Sequence, residues 1–346
     1  MGALDEFGGW PALLGRLVDG QDLGAAETSA ALAAVLAGEA TSAQTAGFIV
    51  ALRQKGETVE ELDGLVAAML DAASPLSLPP GTIDIVGTGG SPRRRTRALN
   101  VSTMASIVAA AAGATVCKHG NLRASSTSGS FDLLAALGVN YELSPERVSA
   151  TVAEVGVGFC FARAFHPAMR HAGPVRAELG IPTVFNVLGP LSHPGQVSRQ
   201  VLGVGDPRLL DLVAGVLASR SADHALVVHG ADHLDEISLS GPTHVREVRD
   251  GEIIGSYDVA PSDVGLGVVA EQDMPGGTPD DNARIARSVF AGTAGPARDI
   301  VTMNAGAGLY VAGVADSLAA GVAAAAEALD TGRAASTLER LIVVST

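Results

Sequence analysis

Apolar positions recur at helical spacing through the first seventy residues of the chain. Trp10 to Val18 makes one short amphipathic segment, and Ala25 to Leu36 a second, closed by Gly38. Thr41 and Gln44 stand at the spacing of a capping box ahead of the apolar run Ala46 to Leu52. Thr58 and Glu61 repeat the device ahead of Leu62 to Leu70. Helices this short bury little by themselves, so the pattern predicts a bundle that packs on a larger body or on a second subunit. The stretch Ser74 to Pro80, rich in Ser and Pro, reads as a hinge.

Past residue 81 the pattern changes. Ile83 to Val86 reads as a short strand, followed by the turn Gly87-Thr88-Gly89-Gly90. A helix is expected from Ser102 to Ala112, a strand from Thr115 to Cys117, and a loop at Lys118-His119-Gly120-Asn121. A helix from Gly129 to Leu137 follows, and Ser144 caps another with Pro145 in its first turn. Leu226 to Val228 is a buried strand ending at His229-Gly230, and Ile300 to Leu341 reads as three helices. Short strands alternating with helices predict an α/β fold: a small all-helical N-terminal domain (1–75), then a large α/β domain (80–346). The large domain would hold a central, mostly parallel sheet with helices on both sides. Polar loops fall just after strands, at the sheet edge where such folds bind ligands.

Composition narrows the chemistry. The 346 residues are 47% hydrophobic and only 3% aromatic, so the core rests on Ala, Val, Leu and Ile. The formal net charge of −14 opposes long-range attraction to nucleic acid, although local donors still suit a small phosphorylated ligand. Lysine occurs only at 55 and 118, which favours a specific role for Lys118 as an ion pair or anion ligand. Cys117 and Cys160 lie in apolar contexts and read as buried thiols of a reducing compartment. The acidic opening residues do not resemble a secretory leader, no apolar run reaches membrane-spanning length, and the expectation is a cytoplasmic protein.

Four segments carry candidate chemistry. In Gly87 to Gly90, glycines permit positive φ and close approach of a phosphate to backbone N–H groups. Asn100, Ser102 and Thr103 follow at a helix start, which offers unpaired donors to an anion; the motif is neither a P-loop nor a dinucleotide fingerprint. Lys118 to Asn121 and the hydroxyls Ser125, Ser126, Thr127 and Ser128 form the second segment. Asp235-Glu236, with Asp232 nearby, suits Mg²⁺, and a solvated acidic turn is the plainer alternative. In Phe165 to Arg176, His166 precedes Pro167, while Arg170, His171 and Arg176 are expected on a helix. Arg176 suits a substrate carboxylate, and an interhelical ion pair is its ordinary alternative.

Taken together, these segments resemble the anthranilate phosphoribosyltransferase family. The likeness spans nearly the whole chain, through Gly38-Glu39-Ala40-Thr41, Lys55-Gly56-Glu57-Thr58, Gly87 to Gly90, Asn100-Val101-Ser102-Thr103, Lys118 to Asn121, His166 to Arg170, Phe185 to Leu191, Leu234-Asp235-Glu236 and Asn304-Ala305. The resemblance implies transfer of phosphoribosyl from 5-phosphoribosyl 1-diphosphate to the amine of anthranilate, in tryptophan biosynthesis. It also implies two Mg²⁺ sites and a homodimer formed through the small domain with a contribution from about 165–180. Carried over by motif, Gly87, Thr88, Gly89, Gly90, Asn100, Ser102, Thr103, Lys118, Ser126 and Ser128 would hold the diphosphate substrate. Ser102, Asp235 and Glu236 would hold metal. His119, Asn121, His166, Met169 and Arg176 would line the anthranilate site, with Lys118, Asn121 and Arg176 positioning the transition state.

Three positions depart from the family pattern. Ser91 to Leu99 replaces an acidic residue and is about three residues longer, and its Arg93, Arg94 and Arg95 either add phosphate contacts, the favoured expectation, or fold over the site and alter turnover. Leu122 replaces an arginine, with Arg123 adjacent, and Phe131 replaces a small residue and is expected to fill core. The alternatives are a phosphoribosyltransferase with another aromatic amine acceptor, a pyrimidine nucleoside phosphorylase, and a non-catalytic nucleic-acid-binding relative.

Overall fold

The structure is a computed structural model and describes residues 3–89, 98–123 and 127–346. The N-terminal bundle contains α1 (Gly9–Val18), α2 (Ala25–Leu36), α3 (Ser42–Lys55) and α4 (Val59–Asp71). Both expected capping boxes form. Thr41 Oγ1 accepts from Gln44 N at 3.2 Å, and Gln44 Oε1 accepts from Thr41 N at 2.9 Å. Thr58 Oγ1 accepts from Glu61 N at 3.2 Å, and Glu61 Oε2 accepts from Thr58 N at 2.8 Å.

Glu61 has a wider part in the bundle. It is fully buried, and its carboxylate also accepts from Leu23 N at 2.9 Å and from Lys55 Nζ at 2.9 Å. One side chain thereby caps α4, fixes the approach to α2 and ties down the end of α3. Its charge is tolerable inside because the Lys55 ammonium and backbone donors surround it.

After the bundle the chain alternates between strands and helices. Strands β1 (Ile83–Gly87), β2 (Val116–Gly120), β3 (Val157–Phe161), β4 (Arg199–Gly203) and β5 (His224–Gly230) are parallel. Strands β6 (Thr243–Arg249) and β7 (Glu252–Val259) add an antiparallel edge, giving the order β3-β2-β1-β4-β5-β6-β7. Helices α5 (Val101–Ala111), α6 (Ser130–Leu137), α7 (Pro145–Val155), α8 (Ala162–Phe165), α9 (Gly173–Leu179), α10 (Phe185–Leu191) and α11 (Leu209–Ser219) lie between strands. Helices α12 (Pro279–Phe290), α13 (Pro296–Val311), α14 (Leu318–Asp330) and α15 (Arg333–Ser345) close the chain.

Alternation along the strands divides the core into two layers. Ile83, Ile85, Val116, Val157 and Val201 pack with α5, α6 and α12–α15. Val86, Leu202, Ala225 and Val227 face the other way, into a core shared with α10, α11 and the N-terminal bundle. The expected α/β fold, with helices on both faces of a mostly parallel sheet, is therefore present. Phe131 is fully buried and meets Phe159, Phe161 and Tyr141 edge-on or tilted, filling core as expected. Among the described residues no helix is long and apolar enough to cross a membrane.

Two local readings differ from the structure. Strand β2 continues through Lys118, His119 and Gly120, where the polar pattern predicts a loop. Those polar residues stay in the strand because side chains satisfy their neighbourhood. Arg170, His171 and Arg176 do not share one helix: Pro167–Arg170 is a short 3₁₀ turn, and α9 begins only at Gly173. Pro167 and Pro174 each open a helical turn, where a missing N–H costs nothing.

Replacing Glu61 with Ala should cost about 3–5 kcal/mol of unfolding free energy, because the Lys55 charge and the Leu23 N–H lose their buried partner. A urea denaturation series at pH 7 reads this loss, and Glu61→Gln, which keeps an acceptor for the caps, should lose less.

Candidate active site

Strand order reverses beside β1: the chain moves outward to β2 and β3, then returns to β4 on the other flank. The C-terminal ends of β1 and β4 border this switch point, where parallel sheets open a ligand crevice. Gly87 ends β1 and Gly203 ends β4, and their backbones lie against Asp235. A Cβ on Gly87 would overlap the Asp235 carboxylate, and one on Gly203 would overlap the Asp235 carbonyl. Beyond Gly87, Thr88 N donates to Gly203 O at 2.8 Å. Gly89 takes positive φ and donates its N–H to Asp235 Oδ2 at 2.7 Å. Asp235 and Glu236 are both buried, at 2% and 6% exposure, and Asp235 sets its carboxylate against the glycine turn. Hard oxygen donors of this kind fit Mg²⁺. Asn304 on α13 holds the segment in place, because its Oδ1 accepts from Ile237 N at 3.0 Å.

On the other flank of β1 the sheet opens. The β1–β2 register holds only at Ile83↔Val116, whereas β1 and β4 pair at five positions. Side chains satisfy the separated backbone groups. Asp84 Oδ1 accepts from His119 N at 3.2 Å, Lys118 Nζ donates to Ile85 O at 2.8 Å, and His193 Nε2 donates to Cys117 O at 2.9 Å. Lys118 is 2% exposed. Burial raises the Asp84 carboxyl above its usual range, against the pull of His193, Lys118 and the His119 N–H.

The start of α5 forms a third wall. Ser102 and Thr103 occupy its first turn, and Thr103 Oγ1 is buried without a hydrogen-bond partner. Asn100 is committed elsewhere: its Oδ1 accepts from Ser128 Oγ at 2.8 Å and Asn282 Nδ2 at 2.9 Å, and its Nδ2 donates to Ser128 O at 3.2 Å. Asn100 and Ser128 thus tie α5, the preceding loop of α6 and α12 together. Asn121 is exposed at the end of β2, and its side chain accepts from Leu122 N.

Histidines line the second half of the site. His119 and His166 rings lie 5.3 Å apart, and His119 and His193 lie 5.8 Å apart. His119 Nδ1 donates to Gly189 O at 3.0 Å, which leaves Nε2 buried with no partner. Burial holds His119 well below its usual pKa and lowers His166 to about 4, so both rings are neutral at pH 7. Arg176 is half-buried with its guanidinium 5.0 Å from the Phe185 ring centroid, and burial lowers its pKa. Among the described residues no carboxylate pairs with it. Met169 is partly buried near the same helices.

Cys117, Cys160 and His193 also converge: the two sulfurs are 3.3 Å apart, and His193 Nε2 is 3.3 Å from Cys160 Sγ. Both thiols are free and fully buried, as expected. His193 Nδ1 accepts from Gly195 N at 3.0 Å, so the proton resides on Nε2. That tautomer donates hydrogen bonds to Cys117 O and Cys160 and offers no lone pair to a metal.

A model of the "Glycosyl transferase family, helical bundle domain" matches residues 11–73, and one of the "Glycosyl transferase family, a/b domain" matches 79–335. The chain is 49% identical over 339 residues to an anthranilate phosphoribosyltransferase of Nocardia farcinica, covering 95% of this chain and 97% of that one. The Arthrobacter sp. (strain FB24) enzyme of that name is 46% identical over 343 residues, covering 97% and 96%. The crystal structure of anthranilate phosphoribosyltransferase from Thermus thermophilus superposes with a TM-score of 0.90 at 43% identity, covering 100% and 99% of the two chains. The chain belongs to the anthranilate phosphoribosyltransferase family. The family member from Saccharomyces cerevisiae solved in complex with PRPP and Mg has a TM-score of 0.88 at 29% identity, covering 97% of each chain.

Within this family fold, Gly87 to Gly89, Lys118, His119, Asp235 and Glu236 cluster at the strand ends. Gly90, Arg93, Arg94, Arg95, Ser125 and Ser126 lie outside the described residues. Asp84, His193, Gln200 and Asn282 are not among the residues that the sequence singles out. An acid inside the apolar strand Ile83-Asp84-Ile85-Val86 is a legible signal for the first; the others act through contacts that no local pattern encodes.

The neutral histidines give the site a pH signature. Their folded pKa values are depressed, so the unfolded chain binds more protons below pH 6.5, and stability falls as pH drops toward 4. For His166 the loss between pH 7 and pH 5 should be about 2 kcal/mol. Urea unfolding at both pH values reads it, and His166→Asn should flatten the difference.

Proposed function

We propose that the chain transfers the 5-phosphoribosyl group of 5-phosphoribosyl 1-diphosphate to the amine of anthranilate and releases diphosphate, supplying tryptophan biosynthesis. The observation that carries this reading is the pairing of two unlike recognition elements. A glycine turn backed by the buried pair Asp235-Glu236 suits a metal-bound diphosphate, and a half-buried Arg176 with no carboxylate partner among the described residues suits a carboxylate.

The roles are carried over from the family motif onto these positions. Backbone N–H groups of the first turn of α5 receive phosphate oxygens beside the turn Gly87 to Gly90, with Ser102, Thr103 and Ser126 as hydroxyl donors. Lys118 adds a cation at the strand ends. Asp235, Glu236 and Ser102 would hold two Mg²⁺ ions, which when bound offset the charge growing on the departing diphosphate. Arg176 anchors the anthranilate carboxylate while neutral His119 and His166, with Asn121 and Met169, line the space beside the ring. The aromatic amine is already a neutral nucleophile, so the protein aligns it with the ribose C1 and excludes water rather than activating it with a strong base. Arg93, Arg94 and Arg95 contribute further phosphate contacts. Two copies associate through the small domain, 1–75, together with the segment 165–180, and the large domain is 80–346.

The deciding experiment follows the fluorescence of anthranilate with purified protein, 5-phosphoribosyl 1-diphosphate and Mg²⁺, omitting each in turn. Consumption that requires all three is expected; a folded protein that leaves anthranilate unchanged would overturn the proposal. Arg176→Ala should raise KM for anthranilate about 10- to 100-fold, the worth of a lost charged hydrogen bond, and leave KM for the diphosphate substrate near wild type. Replacing Arg93, Arg94 and Arg95 together with Ala should weaken Mg²⁺-dependent diphosphate affinity, read by titration calorimetry.

A further inference from the structure

The separation of β1 and β2 is maintained by a residue outside the expected substrate contacts. Asp84 is fully buried, yet it lies in the middle of β1 among Ile83, Ile85 and Val86. Burying a carboxylate here is costly unless its charge is used. Its Oδ1 takes the His119 N–H that a regular parallel ladder would direct to the β1 backbone. The freed Ile85 carbonyl is then available to Lys118 Nζ at 2.8 Å. Asp84 pairs in register with Gln200 on β4, whose Nε2 is anchored on Pro190 O at 3.1 Å. Pro190 belongs to α10, which also supplies the Gly189 carbonyl that fixes the His119 ring.

We infer that Asp84 is a positioning residue: by holding the His119 backbone N–H inside the sheet it keeps β1 and β2 apart and sets the Lys118 ammonium for the diphosphate substrate. This rests on the functional reading above. Asp84 itself does not touch the substrate; it acts through Lys118 and His119. Without its acceptor, the His119 N–H would seek a backbone carbonyl of β1, and the Ile85 carbonyl is the group Lys118 now occupies. Closing the gap would therefore withdraw the anchor that orients Lys118.

Calorimetric titration of folded protein with 5-phosphoribosyl 1-diphosphate and Mg²⁺ tests the inference apart from turnover. Asp84→Ala should weaken binding about 10-fold or more, as expected for losing an oriented charged contact. Asp84→Asn keeps an oxygen that accepts from His119 N and should recover most of that affinity. In steady state the Ala variant should raise KM for the diphosphate substrate while KM for anthranilate stays near wild type. A merely structural role would lower the melting temperature and the fraction of active protein but leave both KM values unchanged. Wild-type-like affinity in Asp84→Ala would overturn the inference, as would an Asn variant that folds but binds no better than Ala. Failure of the wild-type protein itself to bind the diphosphate substrate would instead overturn the functional reading on which the inference rests.

Discussion

Two parallel strands that meet at one register pair and then separate create a demand for hydrogen bonds that the sheet no longer meets. At β1 and β2 the demand is met from side chains: the Asp84 carboxylate for the His119 N–H, the Lys118 ammonium for the Ile85 carbonyl, and the His193 imidazole for the Cys117 carbonyl. Leaving such groups unmade inside a core costs about 1–3 kcal/mol each, so the opening persists only where polar side chains are in place. The same arrangement puts the Lys118 cation and the neutral His119 imidazole at its C-terminal edge. Structure and chemistry here have one cause.

The opposite flank of β1 is built on contact rather than separation. Five register pairs hold β1 to β4, and the two strands end in glycines because Asp235 rests directly on their backbones. A rigid flank and an opened flank on the same strand give the site two properties at once. Asp235-Glu236 and the Gly89 N–H are fixed against a continuous sheet, which suits recognition of a charged, metal-bound group. The histidine side is held by single hydrogen bonds to Gly189 and Asp84, and His119 Nε2 is left without a partner among the described residues.

The sequence makes some of this visible and conceals the rest for physical reasons. Capping boxes at Thr41 and Thr58 are local, so helix starts are readable without tertiary information. The turn Gly87 to Gly89 and the acids Asp235-Glu236 stand out because their composition differs from the apolar runs around them. Strands β3, β4, β6 and β7 are not legible in the pattern. β3 and β4 carry no turn motif of the kind that marks β1, and the exposed edge strand β7 lacks an apolar run. The extension of β2 through Lys118 and His119 is hidden because polar residues inside a parallel strand contradict its usual pattern, and only Asp84 and His193, from elsewhere in the chain, make them tolerable. Asn100 reads as a ligand donor from its place at a helix start, and Ser128 and Asn282 also occupy its side-chain oxygen, a contact across sequence distances that leaves no local mark.

A net charge of −14 is at first sight the wrong background for an anionic substrate. The resolution is one of length scale. In physiological salt the field of surface carboxylates decays over about 8 Å, whereas groups inside the crevice act across a few ångströms of poorly screened space. Lys118 is sealed within the sheet, Arg176 is half-buried against Phe185, and the N–H groups at the start of α5 have no side-chain cap. Near the ligand these few donors outweigh the distant surface charge. The two buried acids at 235 and 236 would by themselves repel a diphosphate, and a divalent cation held by them would offset that repulsion. An acidic chain with a small set of enclosed donors is therefore suited to a metal-bound phosphate ester and poorly suited to a long polyanion, whose phosphates would have to lie along the charged exterior.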